Sequence, residues 1–276
     1  MLSLILSLFV LGCNKGGDDS TGGGDSDADT DTDTDTDTDT DADCIEVDGM
    51  VTTASGAPND AVRVQMCSSQ TCYTTGMKDG VYEFPCLFAN DYAFELAPIS
   101  KEERYPSPSA PVTLVTGEPR SFDAAVVEPF TAVYEDFTAG TYAFDGGLSI
   151  DADPADTYFE DGTEPEGYLA GMVAPFDWGL PIDDDKLPEA DQGGTRVAMW
   201  YLGEFKLVSP NPWPFTATND YGLAAGTVLD ILVMDYNSQA WAVGGTATVS
   251  KDGKTITSDA GSGIPIVSTL LLIDPL

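Results

Sequence analysis

The 276-residue chain contains no histidine, and only 11 Lys and Arg against 47 Asp and Glu. The first absence removes the Ser-His-Asp and Cys-His nucleophile arrangements, and the commonest protein metal ligand with them. The scarcity of bases excludes nucleic acid and anionic lipid surfaces as partners, because both require Lys and Arg to displace counterions or meet phosphate. There is no Gly-x-Ser-x-Gly, no phosphate-cradling glycine loop and no dinucleotide fingerprint. No apolar run reaches the roughly 20 residues that cross a bilayer as a helix. A carboxylate-pair glycosidase needs only two positioned acids, but abundant acids are not evidence of a pair. The expectation is therefore a protein that is not an enzyme.

What is present first is an apolar stretch, residues 2–12, interrupted only by Ser3 and Ser7. Its length reads as a secretory signal rather than a transmembrane span. The segment ends Val10-Leu11-Gly12-Cys13, which resembles a bacterial lipobox, although no Lys or Arg precedes it. The resemblance implies that residues 1–12 are a lipoprotein signal peptide and that Cys13 is lipidated and becomes the mature N-terminus. It implies a cell-envelope protein anchored to a membrane by its lipid. Asn14 and Lys15 follow the cysteine where an Asp commonly marks inner-membrane retention, so an outer-membrane destination is expected.

Residues 13–43 carry a nearly uninterrupted Asp-Thr repeat. In a strand, its alternation would set all the carboxylates on one face about 7 Å apart. In a helix, Asp and Thr are weak formers and i,i+4 Asp pairs repel. With nothing apolar to bury, the segment cannot offset its ordering entropy and is expected to be a disordered tether, reaching on the order of 100 Å when extended. An EF-hand reading fails, because the sixth loop position lacks Gly and the twelfth lacks Glu. Twelve of the acids and one of the bases lie before Cys44, which leaves 35 acids and 10 bases in the remainder.

With Cys13 assigned to lipid, four cysteines remain, Cys44, Cys67, Cys72 and Cys86. An even number within a short stretch of an exported chain favours disulfides. Of three possible pairings, Cys67 with Cys72 across a short loop and Cys44 with Cys86 are preferred. Zinc is disfavoured, since the spacing is unusual and no histidine is available.

Residues 44–128 show period-2 patterning between turn residues, with strands predicted at 45–52, 62–67, 72–75, 81–84, 92–97, 112–115 and 121–127. Seven short strands indicate a β-sandwich. Gly49-x-Val51, Gly56-Ala57-Pro58, Ala61-Val62-x-Val64, Thr75, Asp79-Gly80-x-Tyr82-x-Phe84, Leu87 and Tyr92 together resemble the carboxypeptidase regulatory-like domain, a transthyretin-like sandwich. The resemblance implies that the glycines serve tight turns, that Tyr82 and Phe84 help fill the core, and that the module is an accessory or spacer without catalytic residues. Asn90-Asp91 stand where a glycine commonly precedes the later tyrosine, and the four cysteines are additional to the usual pattern.

Residues 129–276 read as a second β-rich domain, with strands predicted at 141–150, 167–173, 195–205, 228–234, 240–249 and 255–257 and a hairpin turn at Lys251-Asp252-Gly253-Lys254. Trp200-Tyr201, Gly226-Thr227, Trp241 and 245–250 followed by Asp252-Gly253 resemble C-terminal β-modules of large bacterial surface proteins, which implies architecture only. Asp151, Asp153 and Asp156, with Glu160 and Asp161 nearby, are candidate calcium ligands, as is the run Asp183-Asp184-Asp185. Solvated turns are the simpler explanation for both. Trp200 and Trp241 lie inside apolar strands and are expected in the core. Trp213, in Pro210-Asn211-Pro212-Trp213-Pro214, is expected on a rigid loop where its ring could contact a partner.

The sequence thus indicates an all-β chain of two β-sandwich-like modules behind a lipobox and an acidic tether. The function expected is adhesion, scaffolding or partner binding in the envelope, without a cofactor. The alternative is a carbohydrate- or calcium-binding module accessory to a secreted hydrolase. The expected partners are the membrane, through the lipid, and another envelope protein or a glycan.

Overall fold

The computed structural model describes residues 44–100, 104–155 and 157–276. The expected signal peptide, Cys13, the Asp-Thr tether and Asp156 lie outside the described residues. Three one-turn 3-10 helices are the only helical elements among those described, and everything else is strand or turn.

The first eight strands are β1 (Ile45–Thr52), β2 (Val62–Cys67), β3 (Cys72–Thr75), β4 (Val81–Leu87), β5 (Asn90–Pro98), β6 (Ser109–Leu114), β7 (Arg120–Ser121) and β8 (Ala125–Val126). They form two sheets, β4-β1-β7 with β8 also on β1, and β3-β2-β5-β6. Alternation decides which side chains turn inward. Val47 and Val51 of β1, Val62, Val64 and Met66 of β2, Tyr82 and Phe84 of β4, and Tyr92, Phe94 and Leu96 of β5 form one buried cluster between the sheets. The Asp79-Gly80 pair makes the β3–β4 connection tight. Both residues have positive φ, at 54° and 76°, and Lys78 and Val81 exchange two backbone hydrogen bonds, as a two-residue type I′ hairpin requires. A Cβ at Gly80 would lie 2.6 Å from the Val51 carbonyl oxygen, so no other residue fits there without displacement.

The remaining strands are β9 (Ala132–Tyr134), β10 (Gly140–Ala143), β11 (Ser149–Ala152), β12 (Leu169–Val173), β13 (Thr195–Gly203), β14 (Val208–Trp213), β15 (Phe215–Thr218), β16 (Val228–Asp235), β17 (Ala240–Val249), β18 (Thr255–Ser258), β19 (Ile264–Ile266) and β20 (Thr269–Asp274). Ten of them make one antiparallel sheet in the order β10-β11-β15-β18-β17-β16-β20-β13-β12-β9, and β14 pairs with β19 beside it. The sheet curls until its end strands meet. The Tyr134 hydroxyl donates to the Ala143 carbonyl oxygen at 2.7 Å, and the Tyr134 and Tyr142 rings stand 4.9 Å apart. Phe144 closes the gap by lying over Gly171, where a Cβ would come within 2.7 Å of its ring.

The centre of this sheet is buried on both faces. Trp200, Leu202, Ile231, Val233, Leu270 and Leu272 point into the curl. Met199, Tyr201, Leu232, Met234, Leu271 and Ile273 point the other way and join the core of the first two sheets. One apolar core therefore runs across the boundary expected at residues 128 and 129. Burial of both faces explains why β13, β16 and β20 read as continuous apolar runs.

Several strand expectations need correction. The stretch 141–150 is two strands, β10 and β11, because Gly146 and Gly147, with φ of 69° and 68°, reverse the chain between them. The expected loop at Pro210–Pro214 is largely strand β14, irregularly paired with β19. Strand β20, central in the sheet, was not expected at all.

Scarce cations tie the first sheets to the long one. Arg120 bonds Asp183 at 2.5 Å, Lys186 bonds Asp91 at 2.5 Å, and Arg104 reaches both Glu135 and Glu166. Each pair joins residues from either side of residue 128, and Arg120 also donates to the Thr113 carbonyl oxygen at 2.9 Å.

Candidate functional site

Strand β5 has two buried faces. Phe94 and Leu96 face the sandwich, while Ala93 and Glu95 face the long sheet. Glu95 is 4% exposed, and its Oε2 has no hydrogen-bond partner among the described residues. Burial holds its carboxyl above the usual range, and the Lys206 ammonium, Tyr236 and Ser107 pull it back. Across the seam, Lys206 follows the end of β13 in a left-handed conformation with φ 69°, its N–H donating to the Val267 carbonyl oxygen at 2.8 Å. Its ammonium lies 3.5 Å from the centre of the Tyr236 ring and 5.2 Å from that of Phe205. Burial lowers its pKa, opposed by the charges of Glu95 and Asp161. The Tyr236 hydroxyl donates to Cys67 Sγ at 2.6 Å, and burial beside Glu95 pushes this phenol upward.

Two adjoining depressions open along this seam. One, of about 190 Å³, is lined by Phe159, Glu160, Asp161, Phe205, Lys206 and Asn237. The other, of about 360 Å³, shares Phe159, Thr163 and Phe205 with it and continues past Glu164, Tyr168 and Arg104. Arg104, with φ 47°, stacks its guanidinium 4.0 Å over the Tyr168 ring. Burial raises the Tyr168 pKa to about 12. Glu204 accepts from the backbone N–H groups of Glu166 and Gly167 at 2.6 and 3.1 Å. Burial raises its carboxyl, partly offset by those two bonds. Perturbed titratable groups gathered in a cleft make this seam the candidate site.

The residues expected from sequence lie elsewhere. Cys44 pairs with Cys86 and Cys67 with Cys72, and the second bridge backs onto the seam through Tyr236. Trp213 is not an exposed contact. It is 3% exposed, its Nε1 donates to the Asp153 carbonyl oxygen at 3.1 Å, and its ring packs edge-on against Phe137. It lies at the end of strand β14, opposite Ile264 of β19, and its ring turns inward. Trp200 and Trp241 are buried as expected.

The described acidic residues of 151–161 do not converge. Asp151 accepts from the Thr141 hydroxyl, Asp153 from the Ala155 N–H, Asp161 from Thr163, and Glu160 from the Asn237 amide. Asp183 and Asp184 are engaged by Arg120 and by the Gly193 N–H. Among the described residues no three acids or cysteines gather at metal-binding distance.

Glu95, Lys206 and Tyr236 were not singled out from sequence. The available signal was a lone Glu inside the apolar run Tyr92-Ala93-Phe94-Glu95-Leu96-Ala97, and one of few lysines directly after Phe205.

No family model and no curated protein matches the chain. Among solved structures it is similar to the Bacillus anthracis TIE protein, at 10% identity and a TM-score of 0.27, over 78% of this chain and 44% of that one.

Proposed function

We propose that the chain is a non-enzymatic, lipid-anchored protein of the cell envelope, which presents its β body beyond an outer membrane on the acidic tether and binds a partner there. The observation that carries the reading is the pair of disulfides in the folded part behind the Val10-Leu11-Gly12-Cys13 sequence. Disulfides persist in oxidising compartments outside the cytoplasm, and the lipobox resemblance supplies a route there. The sandwich of β1 to β8 acts as a carboxypeptidase regulatory-like spacer. The Asp79-Gly80 turn and buried Tyr82 and Phe84 support that assignment.

Metabolic labelling with a fatty-acid analogue tests the anchor. The wild-type chain takes up label and floats with membranes, and Cys13→Ser does neither. Label that persists in Cys13→Ser removes the proposal.

A further inference from the structure

We infer that the seam cleft around Lys206 binds a neutral saccharide. The inference rests on the partner-binding reading above and names the chemistry of that partner.

Lys206 differs from four of the chain's other cations. Arg104, Arg120, Lys186 and Arg196 are each within 4.0 Å of a carboxylate. Among the described residues Lys206 forms no ion pair. Its ammonium is held instead against the Tyr236 and Phe205 rings, at the wall of the smaller depression. An ammonium carries three donors and no acceptor, and a ring face uses it only weakly. The left-handed backbone at Lys206 is a conformation that persists only where the surroundings fix it.

The same lining carries the other sign. Glu160 and Asp161 line the same depression and Glu164 its continuation. An anion entering next to Lys206 meets these carboxylates, and a cation entering next to them meets Lys206. A hydroxyl has one donor and two acceptor lone pairs, so a polyhydroxylated neutral ring satisfies both signs without a net charge. Its C–H face packs against Phe159 and Phe205, which line both depressions. Together the two depressions fall within the range of about 300–1,000 Å³ found for small-ligand sites, and their continuity suits an oligosaccharide.

The test is titration calorimetry of the full-length chain with chitotetraose, cellotetraose and maltotetraose, with hexalysine and hexaglutamate as charged controls. Saturable binding of a neutral tetrasaccharide is expected. Lys206→Met, which keeps an unbranched side chain of similar length without the donor, and Asn237→Ala on the exposed turn should each weaken it by about tenfold through a lost hydrogen bond to the sugar. Asn237→Ala should leave the thermal midpoint in place, which separates a lost sugar contact from any destabilisation that Lys206→Met brings through buried Glu95. The inference is overturned if no neutral tetrasaccharide binds at millimolar concentration, if both variants bind as well as wild type, or if hexalysine or hexaglutamate binds in preference. Fatty-acid labelling at Cys13 is read independently, so a labelled chain that binds no saccharide loses this inference alone.

Discussion

Replacing Asp191 by Asn should stabilise the protein at neutral and alkaline pH. Asp191 closes a turn in which its N–H donates to the Pro188 carbonyl oxygen at 2.8 Å and its own carbonyl oxygen accepts from Gly194 at 3.0 Å. That turn is pressed onto the long sheet. A Cβ at Gly194 would come within 2.8 Å of Ile273, and Ile273 is the cross-strand partner of Asp230. The Asp191 side chain is thus brought against Asp230 at 2% exposure, with its Oδ1 lacking a hydrogen-bond partner among the described residues. Asp230 therefore adds a like charge to the cost of ionising the buried Asp191 carboxyl. Arg196 does not relieve the pair, since its guanidinium donates to the Ile182 carbonyl oxygen and leans toward Asp184. Across the sheet the Thr246 hydroxyl is engaged by Asp259. Burial, and then Asp230, push the Asp191 carboxyl up from 3.8 to about 6.

A folded-state pKa raised above the unfolded value means that the folded chain holds the proton more tightly. The contribution is favourable below the unfolded value and is lost as pH rises from 3.8 through about 6. A shift of about two pH units corresponds to about 3 kcal/mol when complete, and residual solvent screening brings the expectation to about 2 kcal/mol. Asn keeps the size and the polar contact without the charge. In urea titrations with disulfides intact, Asp191→Asn should exceed wild type by about 2 kcal/mol near pH 8, and the gap should close as pH falls from about 6 toward 4. A variant no more stable than wild type at the higher pH, or a gap that does not change with pH, refutes the account of a carboxyl raised by burial and a like charge.

Two further outcomes follow from the seam and the bridges. Arg120→Ala should cost about 2 kcal/mol, because it leaves Asp183 without its charged donor and the Thr113 carbonyl oxygen without its partner. Arg120→Lys should recover only part of this in the same urea titration, as one ammonium cannot serve both acceptors at the guanidinium's spacing. The paired Cys44→Ser, Cys86→Ser change opens a loop with a sequence separation of 42, and Cys67→Ser, Cys72→Ser one of 5. Loop entropy then predicts losses of about 4 and about 2 kcal/mol respectively. Equal losses by thermal denaturation would show that loop entropy does not govern these bridges.

The elements whose limits were legible to the residue have one wet face, while β13 and β16, buried on both, were placed to within two residues. β1, β2, β3 and β17 alternate buried and open side chains along part of their length, and their observed limits coincide with those expected. β20 failed for the opposite reason. Its run Leu270-Leu271-Leu272-Ile273 is buried on both faces, so it carries no period that separates strand from any other buried segment. Trp213 failed because prolines at 210, 212 and 214 argue for a loop when read locally, while the burial of its ring against Phe137 is decided by a segment far away in sequence.

The same distinction accounts for the cleft. Period and turn chemistry report on neighbours along the chain, and they placed β5, β13 and β16 near their true positions. They carry no information about which outer face of β5 would meet which end of β13. Tyr236 and Cys67 are 169 residues apart in sequence and 2.6 Å apart at the seam. Glu95 is costly to bury unless something across the seam compensates it, and its lone position in an apolar run was the only local trace of that contact. In so acidic a chain, each cation set at a seam is a placement with an electrostatic reason. Arg104, Arg120 and Lys186 hold the sheets together, whereas Lys206 holds none of the described carboxylates within ion-pair distance. That asymmetry, which follows from packing and not from any motif, separates the cleft at Lys206 from the structural ion pairs around it.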